Sequence, residues 1–187
     1  MKLTRDDIRE AAESDLLVFI KLLAPKLRLG RCHEDLIEWW QSGGRKSNCL
    51  VLLPRAHLKS KLIAYKTVWE LTRDPASTIL YVSATADLAE KQLSLMKKIL
   101  TSDTYSKYWP DMVNRDEGKR ETWTMSEISI DHPARKIEGI RDPSIKTAGL
   151  TTNITGFHAT NVKLDDIVVP NNAYTEDGRN KVATQIS

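Results

Sequence analysis

Cysteine and glycine are scarce in this chain, and long apolar runs are missing altogether. Its two cysteines, Cys32 and Cys49, form no C-x-x-C pair, and its four histidines are scattered. That pattern holds neither a zinc site nor a disulfide framework, so reduced thiols in a cytosolic setting are expected. Both cysteines read as small buried apolar residues. No stretch approaches the roughly 18 apolar residues that a membrane span needs, so no membrane partner is expected. The opening MKLTRDDIREAAES has basic residues but no apolar segment behind them, and no secretion signal is expected. A large excess of one charge is lacking too. Lys and Arg total 28 against 25 Asp and Glu, a net charge of +3. This excludes a polybasic arm and leaves local patches as the only route to nucleic acid. What remains is 187 residues, 41% hydrophobic, enough for one compact domain with a real core. The last residues, RNKVATQIS, stop inside a helix-like pattern, so a fragment of a longer protein is expected.

The apolar spacing alternates between helix and strand. Thr4-x-x-Asp7 is a capping box that opens a helix. LLVFIKLLA (16–24) continues as a second helix up to Pro25. HEDLIEWWQ (33–41) sets Leu36, Ile37 and Trp40 on one face, before Gly43-Gly44. NCLVLL (48–53) is a continuous apolar run suited to a strand buried on both faces. LKSKLIAYKTVWELTR (58–73) carries Leu62, Tyr65 and Trp69 at helical spacing. STILYVS (77–83) predicts a second strand. Residues 86–100 predict a helix with Leu88, Gln92, Leu95, Met96 and Ile99 on one face. Strands are expected at 127–130, 146–150 and 161–169, and a helix in TEDGRNKVATQI. The alternation predicts an α/β fold, a mostly parallel sheet flanked by helices, with leading N-terminal helices. Residues 1–47 read as a helical lead or lid and 48–187 as the core.

LLPRAHLKSK (52–61) carries the chemistry. A buried strand, a loop ending in Lys-Ser, and a helix form the context of the phosphate loop G-x-x-x-x-G-K-[ST]. Aligning Lys59-Ser60 on its K-[ST] puts Leu53 and Leu58 where the glycines belong. Amide N–H groups at a helix start favour an anion. Lys59 would then reach the β- and γ-phosphates, Ser60 would bind Mg2+, and Arg55 and His57 would add donors. A leucine held at positive φ costs about 1–2 kcal/mol more than glycine. Ala56 is small enough for close backbone approach. The stretch alone fits two descriptions, a nucleotide site or a basic turn.

A second signal lies about a hundred residues downstream, where VKLDDIVV ends an apolar strand in Asp165-Asp166. Adjacent carboxylates there are costly to bury unpaired. Beside a phosphate loop, the first would hold Mg2+ and the second would orient or deprotonate the attacking water. The other reading is a surface turn before Pro170, and Lys163 inside the strand points that way.

With both motifs present, the chain resembles the ATPase domain of the large terminase subunit of tailed bacteriophages, nearest to the short-tailed group. The resemblance runs from about Cys32 to the chain end. It is carried by CHEDLIEWW, LLPRAHLKSK, YVSATADLAEKQ, NNAYTEDGRNKV and, most specifically, IRDPSIKTAGLTTNITGFHATNVKLDDIVVP. It implies a P-loop NTPase core of the ASCE type, Mg2+-dependent ATP hydrolysis, and translocation of double-stranded DNA into a procapsid. It also implies a homo-oligomeric ring, a portal protein and a small terminase subunit as partners, and the cytoplasm of an infected bacterium as the setting.

By the same resemblance, Pro54, Arg55, Ala56, His57, Leu58, Lys59 and Ser60 form the nucleotide loop, with Arg55 and Lys59 on phosphate. Ser60 and Asp165 hold the metal, Asp166 takes the place of a catalytic glutamate, and His33 lies in an adenine-contacting segment. An arginine from a neighbouring subunit is worth about 10³–10⁵ in rate in such motors. Several members carry a basic residue after ITG, where this chain has His158, so Arg135 and Arg141 are the candidates. The family's coupling motif and its nuclease domain are missing from this sequence, so no DNA cleavage is expected.

Two rivals stand beside this reading. YVSAT (81–85) resembles a helicase coupling motif, which suggests a strand-separating translocase. It also reads as a strand end with Ser83 or Thr85 capping the next helix. The glycine-free loop suggests a degenerate module used only for assembly or DNA docking. Candidate DNA contacts are Lys97, Lys98, Arg115, Lys119 and Arg120.

Overall fold

The computed structural model describes residues 3–42 and 49–186. Three helices lead: α1 (Arg5–Ser14), α2 (Leu16–Leu23) and α3 (Arg31–Ser42). The capping box of α1 forms as expected, the Thr4 hydroxyl accepting from the Asp7 amide and the Asp7 carboxylate from the Thr4 amide. The Thr4 amide and hydroxyl hold the Asp7 carboxyl below its ordinary pKa. Asp15 caps α2 by accepting from the amides of Leu17 and Val18. On α3, Ile37 and Trp40 are buried and Trp39 points outward. The expected stop at Gly43-Gly44 lies outside the described residues.

Next come α4 (Lys59–Arg73), β1 (Ile79–Ser83) and α5 (Ala86–Leu100). Short helices α6 (Asp103–Tyr108) and α7 (Pro133–Ile137) flank β2 (Glu127–Ile128). Then follow β3 (Ile145–Gly149), β4 (Asn161–Asp165), α8 (Pro170–Ala173) and α9 (Glu176–Ile186). The four strands are ordered β2-β3-β1-β4. β1 runs parallel to β3 and β4, whereas β2 is antiparallel to β3. The fold is therefore α/β with a small mixed sheet flanked by helices.

The two sheet faces differ. Ile79, Tyr81 and Ile145 look toward α4 and α5 and join the main core with Leu62, Leu93, Met96 and the leading helices. Each fully buried leucine there contributes about 1.5–3 kcal/mol. On α5 the core stripe is Ala89, Leu93, Met96, Ile99 and Leu100; Met96 and Ile99 belong to the expected face, Gln92 and Leu95 are half-buried, and Leu88 sits at the exposed rim. Leu80, Val82 and Ala148 look the other way, covered by Ile154, Phe157 and Ile167. At the edge of that second face, Val162 and Leu164 of β4 remain exposed.

Two expectations need correction. Residues 49–53 form no strand, and Leu50 and Leu52 are 80% and 83% exposed. An apolar run becomes a strand only where a neighbour pairs its N–H and C=O groups. β4, at the sheet edge, pairs only with β1 among the described residues. Second, both cysteines are free and exposed. Cys32 projects from the outer side of α3, and Cys49 belongs to the unpaired segment.

Gly149 answers a packing need. A Cβ there would lie 2.7 Å from the Ala86 amide nitrogen, so only glycine lets β3 end against the start of α5. Thr85 caps α5 by accepting from the Leu88 amide, as its position in YVSAT suggested.

Candidate functional site

Parallel register brings the carboxyl ends of β1, β3 and β4 together, Ser83 lying opposite both Gly149 and Asp165. Open α/β sheets bind ligands outside such strand ends. The start of α4 meets them there. Lys59 Nζ forms an ion pair with Asp166 Oδ1 and lies 3.6 Å from Asp165 Oδ1. The basic loop and the acidic pair, far apart in sequence, thus form one cluster.

The two aspartates are held differently. Asp165 is buried, its side chain 3% exposed. The Tyr81 hydroxyl donates to its Oδ2 at 2.8 Å, and the Ser83 hydroxyl donates to its backbone carbonyl at 2.8 Å. Burial first, and then the adjacent Asp165 carboxylate, push the Tyr81 phenol far above its ordinary pKa, so it remains a donor. Asp165 Oδ1 is buried with no hydrogen-bond partner. Asp166 has φ +49°, ends the strand, and leaves its side chain 61% exposed on Lys59.

The loop is strained where the sequence lacks glycine. Among the described residues, the non-glycine residues at positive φ are Ala56 (65°), Leu58 (54°) and Asp166 (49°), all at this cluster. Leu58 adopts the left-handed conformation expected of the second glycine position, and no such turn occurs at Leu53. Backbone strain of this kind gathers at ligand sites and costs about 1–3 kcal/mol per residue. Leu58 packs against the main core and precedes α4 without any side-chain cap, which leaves the first amides of that helix for another acceptor.

Of the remaining loop residues, Pro54, Arg55 and Ala56 are exposed, and His57 Nδ1 meets the Arg55 carbonyl at 3.0 Å. His33 lies beside them, its ring centroid 6.2 Å from that of His57. Its Nδ1 accepts from the Gly30 amide, and its buried Nε2 has no partner. Ser60 follows Lys59 in the first turn of α4, half-buried.

The arginine candidates separate. Arg135 is buried and donates to the carbonyls of Pro75, Ser77 and Asp142. Its guanidinium is tied to the interior of this chain. Arg141 is exposed. Among the DNA candidates, Lys97 and Arg120 lie over the Trp123 ring, while Lys98, Arg115 and Lys119 face outward.

Sequence reasoning missed two features. One is the use of Tyr81 and Ser83 around Asp165, signalled by polar residues at alternate positions of an otherwise apolar strand. The other is the partner of Lys163. Its Nζ lies 2.6 Å from Glu70 Oε2, and Lys66 pairs with Glu70 Oε1, so the lysine expected to mark exposure is instead compensated on α4. Burial would raise the Glu70 pKa, but Lys163 and Lys66 outweigh it and hold the carboxyl below its ordinary range.

The donors suit a hard cation. A buried carboxylate oxygen without a hydrogen-bond partner and a hydroxyl in the adjoining helix turn match the oxygen preference of Mg2+. Among the described residues no group of three or more His, Cys, Asp or Glu could cage a metal. Mg2+ typically takes one or two protein carboxylates and completes its shell with phosphate and water.

No helix among the described residues is long and apolar enough to cross a membrane. No family model matches the chain. It is similar to the large terminase subunit of Enterobacteria phage T3, 29% identical over 177 residues. That match covers 93% of the chain but only 28% of the phage protein, a distant similarity along nearly all of the present sequence.

Proposed function

We propose that this chain is the ATP-hydrolysing part of a viral DNA-packaging motor, coupling hydrolysis to movement of double-stranded DNA into a procapsid. The observation that carries the reading is the meeting of Lys59 with Asp165 and Asp166 at the carboxyl ends of parallel strands. The distant likeness to a terminase large subunit supports the choice of motor.

ATP would lie along residues 54–60, its phosphates on the uncapped amides of α4, with Lys59 and Arg55 as counter-charges and His33 beside the loop. Lys59 now neutralises Asp166. As a γ-phosphate enters, the ammonium turns to it and releases the Asp166 carboxylate. Asp166 then accepts a hydrogen bond from the attacking water and takes its proton as the water oxygen bonds the γ-phosphorus, the bond to the β-phosphate oxygen breaks, and ADP leaves. Ser60 and Asp165 would hold Mg2+, which would supply neutralising charge to the phosphates.

An arginine from a neighbouring subunit completes such a site, and Arg141 is the outward-facing candidate. Lys98, Arg115 and Lys119 would meet DNA through its backbone phosphates, without base readout. A homo-oligomeric ring working with a portal protein and a small terminase subunit in an infected bacterium completes the picture. The test is Mg2+-dependent phosphate release by the full chain and by its Lys59→Ala and Asp166→Asn variants. Both variants should lose activity, and parent-level activity in both would overturn the assignment.

A further inference from the structure

We propose that Tyr81 is a positioning residue for the metal ligand, fixing Asp165 so that Oδ1 alone faces Lys59 and the loop. The inference rests on the nucleotide-site reading above and goes beyond it by giving YVSAT a role in that site. Tyr81 is fully buried in β1, and its hydroxyl donates to Asp165 Oδ2 at 2.8 Å. Ser83, two residues on, secures the backbone of the same aspartate through its carbonyl. One strand therefore holds both the side chain and the main chain of Asp165. The two carboxylate oxygens become inequivalent, Oδ2 satisfied by the phenol and Oδ1 left buried without a hydrogen bond.

An ordinary core would not favour this arrangement. Oδ1 has no hydrogen bond, only the Lys59 ammonium 3.6 Å away, and a free carboxylate would rotate to improve on that. The phenol opposes that rotation. Any cation at Oδ1 would meet an oxygen already oriented, with no need to reorganise the carboxylate. Partners that orient a metal ligand in this way typically change metal affinity by about 10–100-fold when removed.

Tyr81→Phe keeps the ring and removes only the donor. Mn2+ binding is measured by electron paramagnetic resonance on the full chain, its Tyr81→Phe variant and its Asp165→Asn variant. Binding of an ATP analogue in EDTA is measured in parallel. Asp165→Asn should abolish the Mn2+ site. Tyr81→Phe should weaken it about tenfold while leaving metal-free nucleotide affinity unchanged. Unchanged Mn2+ binding in Asp165→Asn would remove the underlying site reading. Loss in Asp165→Asn with parent-level binding in Tyr81→Phe would overturn the role of Tyr81 alone. If Tyr81→Phe does not fold, 3-fluorotyrosine at position 81 retains the hydroxyl. Its fluorine resonance should then shift on Mg2+ addition, and an unmoved resonance overturns the proposal.

Discussion

The carboxyl end of β4 and the loop at 54–58 face each other across one site, yet they are built in opposite ways. Asp165 is buried, paired in register with Ser83 and held by two hydroxyls from β1. Pro54, Arg55 and Ala56 are exposed, follow an apolar segment that pairs with no strand, and take their shape from strained backbone at Ala56 and Leu58. Asp165 is therefore preorganised by the core. The basic side is anchored mainly through Leu58 and α4.

The largest effect tests whether the two sides act together. Lys59→Ala should lower Mg2+-dependent ATP hydrolysis about 10²–10³-fold, the usual loss when a charge-stabilising donor is removed. Initial rates of phosphate release measure it. A loss below tenfold would detach the loop from the carboxylates.

Stability should divide along the same line. Leu62 is fully buried on α4 one turn beyond the loop, whereas Leu52 is exposed just before it. Leu62→Ala should cost about 2–4 kcal/mol in urea unfolding. Leu52→Ala should stay within about 0.5 kcal/mol. A large cost at Leu52 would mean that this segment is packed in solution.

Acid unfolding examines the seam between α4 and β4. Lys163 and Lys66 hold the Glu70 carboxyl below its ordinary pKa against the effect of burial. Its stabilising contribution is present above the ordinary glutamate range and is lost as pH falls through the lowered folded value. Glu70→Gln should therefore flatten the acid limb of the stability curve. It should also cost about 1–3 kcal/mol at neutral pH, because the two lysines lose their shared partner. Unfolding free energies at stepped pH measure both effects.

A small gain is expected in the loop itself. Ala56 is exposed at φ 65°, so Ala56→Gly relieves left-handed strain at the cost of unfolded-chain freedom. The net stabilisation should be about 0.5–1 kcal/mol, seen as a small rise in melting temperature.

Much of this was legible in the sequence because it depends on local rules. Caps at Thr4 and Thr85, the apolar stripe of α4 and the strand at Ile79–Ser83 all follow from periodicity and hydrogen-bonding side chains. The motif alignment puts Leu53 and Leu58 at glycine positions, and of the two only Leu58 adopts the positive φ that glycine favours. What escaped depends on partners far along the chain. NCLVLL has strand composition, but composition cannot supply a paired neighbour. Lys163 looks like a surface lysine until α4 places Glu70 against it. Arg135 looks like free surface charge until three carbonyls from two distant segments converge on it. Tyr81 reads as core, since nothing local shows that its hydroxyl reaches a carboxylate in another strand.

The central claim is that the loop and the acidic pair form one nucleotide-metal site. A double-mutant cycle tests it most directly, using calorimetric binding of a non-hydrolysable ATP analogue with Mg2+ to the parent, Lys59→Ala, Asp165→Asn and the double variant. Neighbouring groups serving one ligand should couple by about 0.5–3 kcal/mol. We predict coupling in that range, with the double variant little worse than the weaker single. Additive losses, or binding that neither substitution affects, would contradict the account.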